Sequence, residues 1–306
     1  MQKSYLMTLY EIAEADSRVQ LLLADSGSGY ENLFRQHLPE RMFDFGIAEE
    51  NMVAAAAGMA SCGKIPFVYT AGAFLSYRSM EFIRDDVCLQ KRNVKLIGMG
   101  TGLGWSTLGP THHTTEELGI LRAMPGLTVL SPSDPVRTAE CVHLAYEIDG
   151  PVYIRIGMGG EPALYEEDNA PQKGENRVLR EGKDAVVFAT GTILPELLAA
   201  AETLAEAGTE LQVVDVCTLS PFDEAAVREA AKRFGTVFTV EEHSVSGGLG
   251  TAVAEVLAAN RTQAAFHKIG LDNAFAKGYG TQLEVRAQNG LDAAGIVRQI
   301  KDFLQE

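Results

Sequence analysis

Residues 45–60 read Phe-Gly-Ile-Ala-Glu-Glu-Asn-Met-Val-Ala-Ala-Ala-Ala-Gly-Met-Ala, and the apolar run Ile65–Tyr69 follows shortly after. Two adjacent acids at the head of an alanine-rich segment mark a helix start, because carboxylates there interact favourably with the helix dipole. The small residues that follow fit a helix packed closely against its neighbours, which carries one carboxylate inward and obliges it to find a partner. A plain dipole effect and a functional buried carboxylate both remain open from these residues alone.

Outward from this segment, short β-branched runs alternate with amphipathic stretches. Val19–Ala24, Ile65–Tyr69, Val94–Met99, Leu127–Leu130 and Val152–Ile156 read as buried strands, and Glu49–Cys62, Phe74–Gln90 and Pro135–Glu147 as helices. Such alternation predicts βα units and a mostly parallel sheet covered by helices on both faces. It pauses over residues 158–178, which are rich in Gly, Pro and acids and have no period. It then resumes with strands at 185–189, 211–216 and 236–240. The fold class expected is α/β in two domains, each a mostly parallel sheet flanked by helices: residues 1–160, a linker at 161–178, and residues 179–306.

Composition narrows the function. The 306 residues are 46% hydrophobic and 22% charged, with 41 acidic against 26 basic side chains and a net charge of −15. That field repels phosphate backbones, so neither nucleic acid nor an anionic membrane is an expected partner. No run approaches the ~18 apolar residues of a membrane span. Cys62, Cys88, Cys141 and Cys217 are scattered and read as core thiols of a reducing compartment. A cytoplasmic location is expected.

Open parallel sheets bind ligands beyond the carboxyl ends of their strands, which directs attention to the loops there. Residues 70–80, Thr-Ala-Gly-Ala-Phe-Leu-Ser-Tyr-Arg-Ser-Met, place Phe74, Tyr77 and Met80 or Glu81 at helical spacing. A core stripe accounts for that spacing, and so does a platform for a flat heterocycle. Residues 98–117 form a glycine-rich loop containing Gly-Pro-Thr-His-His at 109–113. Its glycines do not match a dinucleotide fingerprint or a phosphate loop. Adjacent histidines in an extended segment point apart, so a catalytic or substrate-binding His fits better than a metal pair.

Taken in order, Gly46-Ile-Ala-Glu-Glu-Asn-Met52, Ala71-Gly-Ala-Phe-Leu75 and Gly109-Pro-Thr-His-His113 resemble the pyrimidine-binding domain of transketolases and deoxyxylulose-phosphate synthases. Thr190-Gly-Thr192, Val240-Glu-Glu-His243 and Gly247-Gly-Leu-Gly250 are similar to the C-terminal domain of the same families. The resemblance implies a thiamine diphosphate enzyme that transfers a two-carbon ketol unit between sugar phosphates. The β subunits of 2-oxo-acid dehydrogenases and deoxyxylulose-phosphate synthase are the alternatives.

By position, the resemblance implies that Glu49 bonds the aminopyrimidine N1′ and is catalytic, and that Phe74, Tyr77 and Met80 line the same ring. It implies that His112 is catalytic and binds substrate, that Asp25, Ser28 and His113 lie against substrate, and that Arg155 holds the sugar phosphate. Leu108 replaces an Asp usual in relatives, which puts the donor sugar in question. The Gly-Asp-Gly motif that carries diphosphate and Mg²⁺ in the family occurs nowhere in the chain. A partner, the N-terminal transketolase subunit, is therefore expected to supply the diphosphate and Mg²⁺ ligands in an α2β2 assembly, with Glu241, Glu242 and His243 at the interface.

Overall fold

The computed structural model describes residues 1–27, 29–166 and 175–305. The first part runs α1 Gln2–Ala15, β1 Val19–Leu23, α2 Asn32–His37, β2 Met42–Asp44, α3 Glu49–Ser61 and β3 Ile65–Ala71. A helical stretch from Phe74 to Cys88 follows, two π-type turns around the short α4 Met80–Phe82. Then come β4 Lys95–Met99, α5 Glu117–Arg122, β5 Thr128–Leu130, α6 Pro135–Glu147 and β6 Val152–Arg155. The second part runs β7 Arg177–Arg180, β8 Ala185–Thr190, α7 Leu194–Glu206, β9 Leu211–Asp215, β10 Thr218–Ser220, α8 Glu224–Arg233, β11 Thr236–Ser244, α9 Leu249–Ala259, β12 Ala265–Leu271, α10 Gln282–Gln288 and α11 Ala293–Gln305.

Two mostly parallel sheets result, as the alternating pattern predicts. The first has seven strands in the order β10-β5-β6-β4-β3-β1-β2, and the second five in the order β12-β11-β8-β9-β7. Six strands of the first sheet come from the first part and run parallel. The seventh, β10, is lent by the second part and pairs antiparallel with β5. The edge strand β7 of the second sheet is likewise antiparallel.

Parallel strands covered on both faces must be apolar throughout, and β1, β3, β4 and β6 are buried along their whole length. On one face, Tyr5, Leu6 and Leu9 of α1 and Val142 of α6 pack on Leu21, Phe67 and Ile97. On the other, Met52, Val53 and Ala56 of α3 join a cluster that continues through Val129 and Leu219 to Val186, Phe188 and Val237 of the second sheet. The two sheets thus share apolar contact as well as a strand, which positions one against the other. Among the described residues no helix is long and apolar enough to cross a membrane.

Candidate active site

At the carboxyl end of β2, the Asp44 carboxylate accepts from the backbone N–H groups of Asp25 at 3.1 Å and Gly46 at 3.0 Å. One side chain thereby ties the end of β1 to the turn that enters α3. Gly46 sits at φ +64°, a conformation glycine adopts without the Cβ penalty, and the chain reaches α3 aimed into the sheet. Glu49 opens that helix and is 1% exposed. Its Oε2 accepts from Arg78 Nη1 at 2.5 Å. The same guanidinium lies over the Phe74 ring, 4.7 Å from its centroid. A flat cationic group therefore stacks on Phe74 while bonding to Glu49.

The π turn at Phe74–Arg78 explains this pairing. In an α-helix Tyr77, three residues on, would share a face with Phe74, but the wider i→i+5 turn brings Arg78 over the ring instead. Tyr77 is turned aside. Its hydroxyl donates to Glu116 Oε2 at 2.6 Å and accepts from the N–H groups of Thr115 and Glu116, each at 3.1 Å. Burial, reinforced by the Glu117 charge, pushes its phenol pKa up. Met80 is half-buried and packs on the hydrophobic cluster beside α3. Neither Tyr77 nor Met80 lines the cleft where Glu49 and Phe74 meet, in contrast to the expectation from helical spacing.

The loop after β4 closes over that cleft. Its base is a two-bond bridge, Gly102 N–H to the Thr114 carbonyl at 2.9 Å and Thr114 N–H to the Gly102 carbonyl at 2.8 Å. Between them Trp105, Leu108 and His112 project over the site. The His112 ring packs edge-on against Phe74 at 5.0 Å between centroids and lies 6.2 Å from Trp105. Its Nδ1 is 2.9 Å from Thr111 Oγ1. The resulting cleft of about 340 Å³ is lined by Asp25, Ile47, Glu49, Phe74, Trp105, Leu108 and His112, among others. Apolar walls with a few convergent polar groups are the usual character of a small-molecule site.

A larger cavity, about 440 Å³, opens elsewhere, between residues 84–91, 125–126 and 148–151 at the amino ends of β4, β5 and β6. It contains neither Glu49 nor a histidine and lies at the end of the sheet opposite the loops. Among the described residues no group of three or more His, Cys, Asp and Glu side chains could hold a metal ion.

The structure thus brings Asp25, Glu49, Phe74 and His112 together. It does not bring Arg155 to them. That side chain is 2% exposed, and its Nε donates to Glu117 Oε1 at 2.5 Å. Its Nη2 reaches the Glu242 carbonyl at 2.9 Å, on the second sheet. Glu117 and the neighbouring charges raise the guanidinium pKa against the cost of burial. An arginine so occupied cannot serve a sugar phosphate, and the expectation for Arg155 is corrected on that ground. His113 is turned inward, 3% exposed, and burial lowers its pKa, with the Glu242 charge opposing. It lies behind the cleft rather than on its wall. Ser28 lies outside the described residues. Glu241, Glu242 and His243, expected at a surface between subunits, are all buried within this chain.

Sequence reasoning missed Asp44, Ile47, Trp105 and Arg78. The chain's single tryptophan in a glycine-rich loop was a usable signal for Trp105. Nothing local marks Asp44, whose two hydrogen-bond partners depend on how β1 and β2 pair.

Comparison with known proteins bears on this geometry. Residues 1–158 match the family described as transketolase, pyrimidine binding domain, and residues 174–296 match transketolase, C-terminal domain. One of the two subunits of the apulose-4-phosphate transketolase of Phocaeicola vulgatus is 33% identical over 307 residues, spanning 100% of this chain and 97% of that one. A subunit of the 6-deoxy-6-sulfo-D-fructose transketolase of a Clostridium species is 36% identical, covering 97% of this chain and 92% of its own. A solved split-gene transketolase, an inactive β4 tetramer, superposes with a TM-score of 0.90 at 36% identity, covering 99% of this chain and 98% of that one.

Proposed function

The chain belongs to the transketolase family, carrying its pyrimidine-binding and C-terminal domains, and from that footing we propose that it is the C-terminal subunit of a two-chain thiamine-diphosphate-dependent transketolase. The observation that carries the reading is the pairing of a buried Glu49 carboxylate with the Phe74 face at the cleft floor. The Arg78 guanidinium already stacks on that ring and bonds that carboxylate. An aminopyrimidine, also flat and able to donate a hydrogen bond, needs the same two partners, so the residues fit the cofactor. When bound, thiamine diphosphate supplies a nucleophilic carbon and an electron sink for a two-carbon ketol unit.

Glu49 holds the aminopyrimidine edge. Because it is desolvated, its hydrogen bond is strong and favours the tautomer that can take up a proton. Arg78, only partly buried, swings off Phe74 to admit the ring. His112 stands edge-on at the cleft mouth, where an imidazole can give or take a proton on a sugar oxygen. Asp25, exposed at the end of β1, faces substrate at the entrance. Leu108, 48% exposed, and Ile47, 74% exposed, make that entrance apolar.

The cleft lining holds no Lys or Arg among the described residues. The anionic end of a ketose, a phosphate or a sulfonate as in the relatives' substrates, is therefore met by the partner chain. That partner, an N-terminal transketolase subunit, also supplies the diphosphate and Mg²⁺ ligands, in an α2β2 assembly. The test is co-expression of the two chains, followed by assay of ketose phosphates and sulfonates with thiamine diphosphate and Mg²⁺. Two-carbon transfer to an aldose acceptor is expected. An assembled complex that binds the cofactor and transfers no two-carbon unit from any ketose would overturn the reading.

A further inference from the structure

The loop that roofs the cleft is held from beneath by the second sheet. Leu103, at its base, is fully buried, and its side chain belongs to the core of the second domain, packed with residues such as Ala189, Ile193 and Phe238. Its backbone N–H donates to Glu242 Oε1 at 2.5 Å. At the other end of the same loop, the Thr115 carbonyl accepts from Ser244 N–H at 2.7 Å. Both anchors lie on the last residues of β11, where the register against β12 shifts between Val240 and Ser244. That irregularity lets the strand end reach across the boundary between the two sheets.

Glu242 is fully buried and fully engaged. Besides Leu103 N–H, its Oε1 accepts from Gln282 Nε2 at 2.8 Å, and its Oε2 from Arg286 Nε. Gly102 lies so close to this carboxylate that a Cβ there would overlap Oε1, and its φ of +64° suits glycine. The backbone at Gly102 and Leu103 thus runs directly over the carboxylate. From this point the chain climbs to Trp105, Leu108 and His112.

We propose that Glu242 is a positioning residue for the active site: it fixes the base of the 102–114 loop and thereby sets where His112 and Trp105 stand over Glu49 and Phe74. The proposal rests on the reading of this cleft as the site of ketol transfer. It assigns the C-terminal domain a part in catalysis without contact to substrate.

Glu242→Gln separates positioning from bulk stability. A carboxylate offers an acceptor to donors on both sides, whereas an amide has one oxygen. That oxygen turns to the charged Arg286, the stronger partner. The amide nitrogen is then left against Leu103 N–H, and the loop base loosens while the shape of the core is kept. Trp105 is the only tryptophan of the chain, so its fluorescence reports the loop in the isolated, full-length subunit.

The expected result for Glu242→Gln is a red-shifted Trp105 emission and an acrylamide quenching constant at least doubled. In the assembled enzyme kcat should fall about tenfold, with affinity for thiamine diphosphate within twofold of wild type. Glu242→Ala should move the emission further. Should Glu242→Ala not fold, Glu242→Gln decides alone. Unchanged emission and quenching in Glu242→Gln overturn the proposal, as does a lowered Tm with kcat per assembled site unaltered. Because the fluorescence is read without partner or substrate, its failure is distinct from a failure of the transketolase reading.

Discussion

The two sheets each bury a glutamate against the head of a helix, and they use it differently. Glu241, at the end of β11, is 1% exposed and accepts from the backbone N–H groups of Leu249 and Gly250, both at 2.8 Å, at the start of α9. Glu49, equally buried at the start of α3, is bonded to the side chain of Arg78, which reaches it from the solvent edge. Backbone partners cannot leave, whereas an arginine at the surface can. A carboxylate held by the backbone is committed to the fold, and one held by a movable side chain is available for chemistry. The same architecture therefore carries a site on one sheet and a buttress on the other.

The sharpest test of that contrast is Glu49→Gln in the assembled enzyme. Removing the charge while keeping the shape should lower turnover by about 10⁴-fold, or roughly 5 kcal/mol, at the upper end of what a proton-handling group contributes. The melting temperature should shift by no more than a few degrees. Near-normal turnover would remove Glu49 from its role and with it the difference between the sheets.

Arg155→Met probes the opposite side. Glu117 would be left buried without its counter-ion, at a cost of about 3–4 kcal/mol read by urea denaturation. The KM for sugar phosphate, per folded site, should be unchanged. A raised KM with intact stability would return Arg155 to the phosphate-binding role that its place at a strand end implies.

That misassignment shows where the sequence is opaque. Alternating β-branched and amphipathic segments made both sheets legible, and the acidic head of α3 and the histidine loop marked Glu49 and His112. Arg155 at the carboxyl end of β6 looks like a site residue because strand ends usually are. Its true partner Glu117 is 38 residues away, and no local pattern connects them. Strand β10 was illegible for a similar reason. Three residues, Thr218–Ser220, are too few for a period, and their pairing with β5 crosses from one part of the chain to the other. Tyr77 was misplaced because apolar spacing assumes an α-helix, and the turn that forms is a π turn.

A smaller effect is expected at the aromatic face. Phe74→Ala removes the platform for the ring and the edge contact with His112. Stacking of this kind contributes about 1 kcal/mol beyond area burial, so affinity for thiamine diphosphate should fall by about tenfold, counting some lost contact area. Calorimetric titration of the assembled apo-enzyme checks it. Unaltered affinity would make Phe74 a core residue, and the guanidinium stacked on it a surface detail.

The smallest effect lies in the two histidines of one loop. His112 faces the cleft, and His113, one residue on, faces the interior near Glu242. Burial lowers the His113 pKa below the ordinary value of about 6.5, and the Glu242 charge offsets only part of that. The imidazole is accordingly neutral in the fold over a range where the unfolded chain already binds a proton. Stability from this group is complete above pH ~6.5 and declines as the pH falls below it, until the folded-state pKa is reached. The slope cannot exceed about 1.4 kcal/mol per pH unit. His113→Gln should flatten the loss of stability between pH 6.5 and 5, measured by urea denaturation, and leave the curve above pH 7 parallel to wild type. If the variant retains the full acid slope, the inward histidine does not titrate with folding, and the division of the pair into a cleft-facing and an interior member has no energetic content.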